Sequence, residues 1–552
     1  MSTSSTKSDS AKKAGRKERS TPSSRRDREV AAAPPRDVIP ESVWHVGVIV
    51  IVMIAAVLRL YDLALVPLHH DEGVNGNFLV KLVREGSYQY DPENYHGPTL
   101  YYFSAVIPWI TKVLFGTSAR ENYGLTTFTI RLIPALFSLA TIALIFLLRR
   151  RLGTLATLAA ALMLAISPGA VYLSRYFIHE TLFVFFTLGI VVAAVRFYDE
   201  RNPAYLLPAG ACAALLFATK ETAIISAVVL IIALGSTWAY MRFTGKSSSA
   251  RQRRTGEKIL DLTDEMGGPA MLLWGIGLAI FLFIALYVLF YTSFYTHTKG
   301  FWDSLQTFNV WSKTGRTAHV HSPSQYVFWL LWIESPLLIL GAVGAVFAVL
   351  KPKNSLALFC ALWSFGLIAA YSLIPYKTPW LLLNFVVPLA LIAGYAIQAI
   401  FETDHFRWRL VAVILAFAIG VASFQCLDLN FVNYDNDNEK YVYVYAHTTR
   451  GMLDLVNHIE QIAKKNSGGQ TGITIVSPDY WPLPWYLRNF TRVGYFGRMA
   501  ATSEPMIIAN ENQKAEVEAS YGQVYEQVQS GQNGGSFELR PGVKLLLYER
   551  RR

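Results

Sequence analysis

The sequence has 552 residues, of which 53% are hydrophobic and only 16% are charged. Because soluble proteins carry about 25% charged residues, this composition excludes an ordinary soluble protein. The formal net charge is +11, but the basic residues lie in a terminal tail and in short loops. The charge is therefore not a nucleic-acid signature, and no nucleic-acid partner is predicted.

Residues 1–42 form a tail that is rich in Ser, Lys and Arg and contains few large apolar side chains. Such a segment cannot bury enough apolar surface to fold, so we predict a disordered cytoplasmic tail. It does not resemble a signal peptide, because its basic stretch is too long and no small-residue cleavage site follows the first apolar run.

Apolar runs long enough to cross a bilayer recur from residue 44 onward, since a span needs roughly 20 mostly apolar residues. The first three cover residues 44–60, 132–148 and 154–173. The sequence therefore predicts an α-helical polytopic membrane protein with about 11 transmembrane helices, in a domain that covers residues 43–428. The other predicted spans centre near Phe186, Leu215, Val229, Phe281, Leu340, Leu362, Leu389 and Ala416.

Basic residues mark five of the loops between these spans. If the N-terminus is cytoplasmic, all five loops fall on the cytoplasmic side, as the positive-inside rule requires. The sequence therefore predicts a multi-pass plasma-membrane protein with a cytoplasmic N-terminus and an extracytoplasmic C-terminal domain. The basic residues are Arg149, Arg150, Arg151, Arg196, Arg201, Arg251, Arg253, Arg254, Lys351, Lys353, Arg407 and Arg409.

Residues 98–115 are also apolar, but a span there would turn all five basic loops outward. Their Tyr101, Tyr102, Trp109 and Lys112 suit a helix that lies in the membrane interface. We therefore predict a large first outer loop, over residues 66–128, that carries interfacial helices.

Residues 429–552 are predicted to form a small extracytoplasmic α/β domain. Apolar spacing indicates helices at residues 452–462 and 514–528, and strands at residues 473–476 and 543–548. The aromatic segment 481–486 is open to two interpretations. It binds a glycan through its ring faces, or it packs the domain against the membrane interface.

Polar and charged residues gather at the predicted outer ends of the spans, where ionisable groups are costly and usually functional. His69, His70, Asp71 and Glu72 stand together after the first span. Four such residues at one span end favour a functional site over a set of interfacial anchors. Further candidates at outer turns are His96, Arg131, Arg175, His179, Glu180, Lys220, Glu221, Tyr376 and Lys377.

This set of residues suits the transfer of a group from a lipid phosphate. A carboxylate acts as a general base on an acceptor hydroxyl, while Lys and Arg hold the departing phosphate. Neighbouring carboxylates and histidines are alternatively ligands for a divalent metal, which is the one cofactor considered. A membrane transporter or flippase and a non-catalytic subunit of a glycan-assembly pathway remain alternatives.

Several motifs, in order over about the first 400 residues, carry a family resemblance. They are Arg59-Leu60-Tyr61 before Asp71-Glu72, residues 95–102, Arg131-Leu132-Ile133-Pro134, Ser167-Pro168 with Ser174-Arg175, and Thr219-Lys220-Glu221. In these motifs the sequence resembles the membrane C-type glycosyltransferases of the protein O-mannosyltransferase and aminoarabinose-transferase superfamily. Residues 69–73 and 479–486 resemble its prokaryotic branch of flippase-associated predicted glycosyltransferases.

The resemblance implies an enzyme that moves a sugar, with inversion, from a polyprenyl-phosphate donor to a glycan, lipid or protein acceptor at the outer face of the lipid membrane. Asp71 resembles the general base, and Glu72 and Glu180 are further catalytic candidates. Arg131 resembles the contact to the donor phosphate. The other candidates for phosphate binding are Arg175, Lys220 and Lys377, and those for substrate or metal binding are His69, His70, His96, His179, Glu221 and Tyr376.

The sequence departs from the aminoarabinose-type enzymes at two points. Glu180 stands where they carry an aspartate, and His96-Gly97 replaces their Glu-Lys step. The phosphate-binding cation of that step must then come from elsewhere, and Lys220 and Lys377 are the candidates.

Overall fold

The computed structural model describes residues 39–93, 96–115, 124–244, 265–317, 319–352, 354–403, 407–437, 440–529 and 534–551. Of the predicted tail, residues 1–42, the part up to residue 38 lies outside the described residues. Its last two residues, 41 and 42, belong to the first helix. The helices up to residue 427 are α1 Glu41–Leu60, α2 His70–Glu85, α3 Thr99–Phe115, α4 Thr127–Phe146, α5 Arg149–Leu152, α6 Thr154–Ala165, α7 Pro168–Ser174, α8 Glu180–Glu200, α9 Leu206–Phe217, α10 Ala223–Thr244, α11 Gly268–Tyr291, α12 Gly300–Thr317, α13 Gln325–Ile333, α14 Ser335–Leu350, α15 Ser355–Leu373, α16 Leu383–Phe401 and α17 Arg407–Leu427.

Eight of these helices are long and apolar enough to cross a membrane: α1, α4, α8, α10, α11, α15, α16 and α17. Two more spans result if each bent pair counts as one, namely α6 with α7, bent by 58°, and α13 with α14, bent by 112°. Each predicted span lies on one of these helices, except the one near Leu215, which lies on the shorter α9. The polytopic helical architecture is confirmed, whereas the number of about 11 spans stays a prediction.

The two bends share one buried carboxylate. Glu334 ends α13, and its Oε1 accepts hydrogen bonds from the Ser167 hydroxyl and the Gly169 N–H, both at 2.8 Å. The second helix of each pair has a proline in its first turn, Pro168 and Pro336. Proline is tolerated there because a backbone N–H in the first turn has no acceptor within the helix. The carboxylate therefore satisfies polar groups that the first bend leaves without helical partners.

Helix α16 lies at the centre of the helical bundle, and almost all of it is buried. Two glycines allow neighbouring helices to approach it closely. A Cβ on Gly344 of α14 would lie 2.1 Å from the Ile392 carbonyl oxygen, and one on Gly394 would lie 2.2 Å from that of Ala156 in α6. Small residues at such contacts are typical of helices that pack within a membrane.

Three helices, α2, α3 and α12, lie in the connections that are predicted to be outside. Helix α3 buries Tyr101 and Tyr102 on one face, while Val113, Leu114 and Phe115 at its end are exposed. A short apolar helix with one exposed apolar end suits the predicted interfacial position. That position remains a prediction.

The C-terminal region adds α18 Arg450–Lys465, α19 Leu483–Tyr486, α20 Lys514–Tyr521, β1 Ile473–Ile475, β2 Val493–Tyr495, β3 Met506–Asn510, β4 Tyr525–Gln527, β5 Ser536–Arg540 and β6 Val543–Arg550. The sheet has the order β2-β1-β3-β6-β4, with β5 also paired to β6. Strand β1 is parallel to both of its neighbours, and β6 is antiparallel to its three. The predicted small sheet region is confirmed. The helix predicted over residues 514–528 is wrong beyond Tyr521, because residues 525–527 pair with β6.

Candidate active site

Asp71 lies in the first turn of α2, next to the residue that caps this helix. The Asp71 N–H donates to His69 Nδ1 at 3.1 Å, and the His69 N–H donates to Glu72 Oε2 at 3.0 Å. This reciprocal arrangement is a capping box, which fixes the start of the helix. The backbone of Asp71 is therefore held in place, while its side chain is 42% exposed and its carboxylate is accessible.

Glu72 points in the other direction, into a buried ion pair with Arg131 of α4. The Arg131 Nε donates to Glu72 Oε1 at 2.7 Å and its Nη2 donates to Oε2 at 2.6 Å. The Phe177 N–H adds a third hydrogen bond to Oε1, at 2.7 Å. Both charged side chains are almost completely buried, so this bidentate pair joins α2 to α4 away from solvent.

The remaining donors of Arg131 bind backbone carbonyls of the segment between α1 and α2. Its Nη1 donates to Leu63 and Val66, both at 2.8 Å, and its Nη2 donates to Pro67 at 3.2 Å. The structure therefore presents no unused guanidinium donor of Arg131 to a phosphate. The prediction that Arg131 contacts the donor phosphate has no geometric support here.

Arg175 is the second predicted phosphate ligand that binds backbone instead. Its Nη1 donates to the carbonyls of Leu58 and Tyr61, and its Nη2 donates to that of Asp62 at 2.8 Å. These carbonyls end α1, where a cation is favourable because of the helix dipole. Arg175 thus caps a helix and lies outside the cavity described below.

A second cluster of buried charges lies on the turn before α10. The Lys220 ammonium donates to Glu180 Oε1 at 2.5 Å, and His96 Nδ1 lies 3.2 Å from Glu221 Oε2. Burial disfavours the charged form of Lys220, but Glu180 and Glu221 outweigh it and raise the pKa of Lys220. Burial likewise opposes ionisation of Glu221, but His96 and Lys220 outweigh it and lower the pKa of Glu221. Lys220 and Glu221 therefore keep their charges despite burial.

A close backbone contact holds His96 against this turn. The Gly97 N–H donates to the Thr219 carbonyl at 2.9 Å, and a Cβ on Gly97 would lie 2.0 Å from the Ala218 carbonyl oxygen. Only glycine allows this approach, which explains the His96-Gly97 step in the sequence. His179 Nε2 bonds to the Gly97 carbonyl at 3.0 Å, and burial, together with His96 and Lys220, keeps the pKa of His179 well below its ordinary value.

Asp71 and the second cluster line one cavity of about 270 Å³. It brings together seven of the predicted site residues, from α2, the segment before α3, the start of α8, the turn before α10 and the turn after α15. This cavity is therefore the candidate active site. The predicted residues in its lining are His70, Asp71, His96, Glu180, Lys220 and Glu221, with Tyr376 at its far wall.

Lys377 lies outside this cavity, although its neighbour Tyr376 lines it. The Lys377 ammonium donates to the carbonyls of Ser372 at 3.2 Å and Ile374 at 2.5 Å, at the end of α15. Its side chain lines a second cavity, of about 770 Å³, on the other side of the Tyr376 loop. Burial lowers the pKa of Lys377. The structure thus separates Lys377 from Lys220.

Metal binding has no clear site among the residues that the structure describes. No group of three His, Cys, Asp or Glu side chains there is arranged to hold an ion. The carboxylates nearest to such a group, Glu180 and Glu221, are already bonded to Lys220 and His96. The divalent metal therefore stays a prediction without a ligand set among the described residues.

Several lining residues were not predicted as site residues. Trp311 of α12, His319 and Trp380 close the cavity of Asp71. His69 Nε2 bonds to the Tyr445 carbonyl at 3.1 Å, and Tyr445 Oη lies 3.3 Å from His319 Nδ1. Their only signal in the sequence is an aromatic or imidazole side chain in a predicted outer loop.

An apolar groove runs along α10 and α15 below this cavity. It has a volume of about 560 Å³, and its wall is almost entirely aliphatic. Ile374 lines both the groove and the cavity of Asp71. The groove therefore ends where the polar cavity begins, and a long apolar chain in the groove would carry its head into that cavity.

The C-terminal region packs directly on α2. A Cβ on Gly73 would lie 2.5 Å from Pro482, and one on Gly76 would lie 2.6 Å from the Trp485 ring. The Leu68 N–H donates to Tyr486 Oη at 2.9 Å. The segment 482–486 thus supports the helix that carries Asp71, from residues more than 400 positions away.

Comparisons with known proteins agree with this arrangement. The family model described as dolichyl-phosphate-mannose-protein mannosyltransferase matches residues 104–246, from α3 to just beyond α10. The crystal structure of ArnT from Cupriavidus metallidurans bound to undecaprenyl phosphate is similar, with a TM-score of 0.58 and 12% identity, over 91% of this chain and 97% of that chain. The chain has the fold of the membrane C-type glycosyltransferases. The superfamily recognised from the sequence motifs is confirmed.

Two other structures share the C-type fold. Apo ArnT from the same organism has a TM-score of 0.53 and 13% identity, over 92% of this chain and 97% of that chain. AglB from Archaeoglobus fulgidus, an archaeal oligosaccharyltransferase in complex with an inhibitory peptide and a dolichol-phosphate, has a TM-score of 0.52 and 13% identity, over 86% and 70%. No curated protein matches the sequence. The predicted enzyme class, glycosyltransferases with lipid-linked donors, is that of the matching family and structures.

Proposed function

We propose that this protein is an integral membrane glycosyltransferase that moves a sugar from a polyprenyl-phosphate donor to an acceptor at the outer membrane face. The observation that carries the proposal is one cavity that holds an accessible carboxylate, Asp71, a buried cation, Lys220, and the end of an apolar groove. These are the three features that such a donor requires: a base for the acceptor, a contact for the phosphate and a path for the lipid.

Asp71 acts as the general base in this mechanism. Its carboxylate takes the proton of an acceptor hydroxyl while the hydroxyl oxygen bonds to the anomeric carbon of the donor sugar. The bond from that carbon to the phosphate oxygen breaks, and polyprenyl phosphate leaves with its negative charge. Attack opposite the leaving phosphate inverts the anomeric carbon.

Lys220 stabilises the departing phosphate. One of its three N–H groups bonds to Glu180, and the side chain lines the cavity. Its charge is maintained by Glu180 and Glu221, which raise its pKa. A fixed cation in a buried site favours the charge that develops on the leaving group. Glu180 is therefore a positioning residue for Lys220 in this proposal.

Glu72 and Arg131 position Asp71 and do not touch the donor. Their ion pair holds the start of α2 against α4, and the capping bond from the His69 N–H ends on the same Glu72 carboxylate. Groups that are locked by hydrogen bonds keep a catalytic side chain within a narrow range of positions. The proposal therefore gives Glu72 and Arg131 a positioning role. The family resemblance had implied a catalytic role for Glu72 and phosphate binding for Arg131.

The groove along α10 and α15 suits the polyprenyl chain. An isoprenoid is apolar and long, and the groove offers aliphatic side chains from the bilayer region up to Ile374. The ArnT structure that holds undecaprenyl phosphate and the AglB structure that holds dolichol-phosphate support a donor of this chemical class.

Release of polyprenyl phosphate from lipid-linked sugars by the purified protein tests this function. We expect release with one or more members of a panel that varies the sugar, and no loss of the sugar from a polyprenyl glycoside that lacks the phosphate, because the reaction needs a phosphate leaving group. A folded protein that releases no polyprenyl phosphate from any member would contradict the proposal and favour a transporter or a structural subunit.

The outer-face location is part of the proposal and rests on the five basic loops. It is tested by a Ser503→Cys variant, since Ser503 is exposed on the C-terminal region. In intact cells, a membrane-impermeant thiol reagent should label this cysteine above the background of Cys212, Cys360 and Cys426. Labelling that requires permeabilised cells would place the site on the cytoplasmic side.

A further inference from the structure

A row of aromatic rings begins beside Asp71 and continues onto the C-terminal region. The His70 ring lies 6.0 Å from the Trp481 ring, Trp481 lies 5.8 Å from Tyr480, and Tyr480 lies 5.2 Å from Tyr495. Trp481 and Tyr480 are half-buried and Tyr495 is exposed. The row therefore forms a continuous, accessible surface that leads away from the general base.

The two interpretations of the aromatic segment 481–486, packing and glycan binding, apply to different residues. Trp485 is 1% exposed and lies against Gly76, while Pro482 contacts Gly73, so these two residues hold the region on α2. The Trp481 ring also touches α2, since it would lie 3.3 Å from a Cβ on Gly73, but this side chain stays partly exposed. Of the two interpretations of the segment, packing applies to Trp485 and leaves Trp481 available for a ligand.

A charged pair stands at the base of the row. Arg540 Nη2 donates to Asp479 Oδ1 at 2.5 Å, and both side chains remain partly exposed, at 26% and 35%. Asp479 precedes Tyr480 in the chain, so the pair offers a hydrogen-bond donor and acceptors beside the rings. Sugars present C–H faces that stack on the negative face of an aromatic ring, and hydroxyls that bond to charged groups at its edge.

We propose that the row Trp481–Tyr480–Tyr495 is the acceptor subsite and that the acceptor is a saccharide. This inference rests on the proposed glycosyltransferase function and specifies its substrate class. The sugar whose hydroxyl reacts lies beside Asp71 and His70, and the next sugar stacks on Trp481. The rest of the glycan then extends toward Tyr495, at the open edge of the sheet, with Asp479 and Arg540 in contact with its hydroxyls.

Binding of linear trisaccharides of mannose, of glucose and of galactose to the full-length protein tests the subsite. We expect at least one of them to bind the wild type, and Trp481→Ala to weaken that binding by about 10-fold or more, since the stacking surface is lost. Trp481→Phe keeps an aromatic face and should stay within about 3-fold of the wild type. Phe496→Ala is the matched control, because Phe496 is an exposed aromatic residue next to Tyr495 that makes no ring contact with the row.

A kinetic readout separates this subsite from a structural role for Trp481. Trp481→Ala should raise the KM for the saccharide while kcat at saturating saccharide falls little, and Trp481→Phe should restore the wild-type KM. A loss in kcat with no change in KM would show that Trp481 only supports the fold of the site and would overturn the subsite. Equal glycosylation of a serine- and threonine-containing peptide by wild type and Trp481→Ala would also overturn it, in favour of a protein acceptor.

The same measurements distinguish failure of the subsite from failure of the proposed function. A wild-type protein that releases polyprenyl phosphate but binds none of the trisaccharides would overturn the subsite alone. One that binds a trisaccharide at Trp481 but releases no polyprenyl phosphate would overturn the transferase function while supporting the saccharide site.

Discussion

Two clusters of buried charge lie near the ends of the helices that carry the candidate site, and they look alike in sequence. Glu72 with Arg131 and Glu180 with Lys220 each pair a carboxylate at the start of one helix with a cation from another segment. In the first cluster, every guanidinium nitrogen donates to Glu72 or to a carbonyl of the chain that precedes α2. In the second, the Lys220 ammonium faces a cavity.

This difference shows that burial and charge alone do not identify a catalytic group. Structural ion pairs and active-site charges are both buried and both strongly coupled. The hydrogen bonds decide between them, because a cation whose donors all bind its own protein has none left for a ligand. By this criterion Arg131 has a structural role, and Lys220 is the candidate cation of the site. Arg175 lies outside the cavity and binds the carbonyls at the end of α1.

The largest expected effect follows from breaking the buried ion pair between Glu72 and Arg131. Arg131→Ala leaves the Glu72 carboxylate buried and uncompensated, so we expect a loss of about 3–5 kcal/mol in the free energy of unfolding. Thermal unfolding in detergent measures it. The double variant Arg131→Met with Glu72→Gln removes both charges and should be closer to wild type. An Arg131→Ala protein with wild-type stability and weaker donor binding would reverse the assignment of the two clusters.

The next effect concerns the base. Asp71→Asn keeps the size of the side chain and removes the basic oxygen, so transfer in a single turnover should fall by about 100-fold or more. Binding of the lipid-linked donor should survive, because the Asp71 side chain is half-exposed and its capping bond to His69 comes from the backbone N–H, which Asn keeps. Glu85→Gln, at the far end of the same helix, is the control. Unimpaired transfer by Asp71→Asn would remove it from catalysis.

The third effect concerns the pair of Lys220 and Glu180, whose removal should lower donor affinity without lowering stability. Removal of Lys220 alone would leave Glu180 unpaired, so the test uses Lys220→Met together with Glu180→Gln. We expect donor affinity to drop by about 1.5–3 kcal/mol, the usual scale of one charge-assisted hydrogen bond, with little change in thermal stability. Comparison with Glu180→Gln alone isolates the part that belongs to Lys220. Wild-type affinity in the double variant would argue against a phosphate contact at this position.

The smallest effect is expected at the remaining cation. Lys377 donates to the last carbonyls of α15, where a cation stabilises a helix by about 0.3–1 kcal/mol. Lys377→Met should therefore lower the unfolding temperature slightly and leave donor affinity unchanged in the same binding assay. A loss of donor affinity as large as that of the Lys220 variant would mean that the second cavity also takes part in donor binding.

The sequence predicted the helices well because membrane spans are specified locally, by about 20 apolar residues in a row. It did not predict the two bends, although Pro168 and Pro336 mark both of them. The break at Glu334 depends on a hydrogen bond to Ser167, from another span. The end of the helix that begins at Lys514 was missed for a similar reason, since β4 exists only through its pairing with β6.

The site was predictable only in part. The residues that gather at the cavity were found because each stands at the end of a helix, where polar groups are rare without a purpose. Their partners could not be found, because Glu72 could pair with any of several outer cations. Position along the chain gives no indication that Lys377 turns toward α15 or that Trp311 closes the cavity. Those outcomes depend on contacts between distant segments.

The support of α2 by the C-terminal region has a consequence for biosynthesis. Leu68 and Tyr486 are 418 positions apart, so the ribosome makes Asp71 long before it makes the residues that pack on Gly73 and Gly76. A nascent chain therefore carries the proposed base on an unsupported helix throughout most of translation. Under the proposed mechanism, we expect transfer only once the C-terminal sheet has folded, and we expect a chain cut short before Trp481 to be inactive although most of the residues around its cavity have been made.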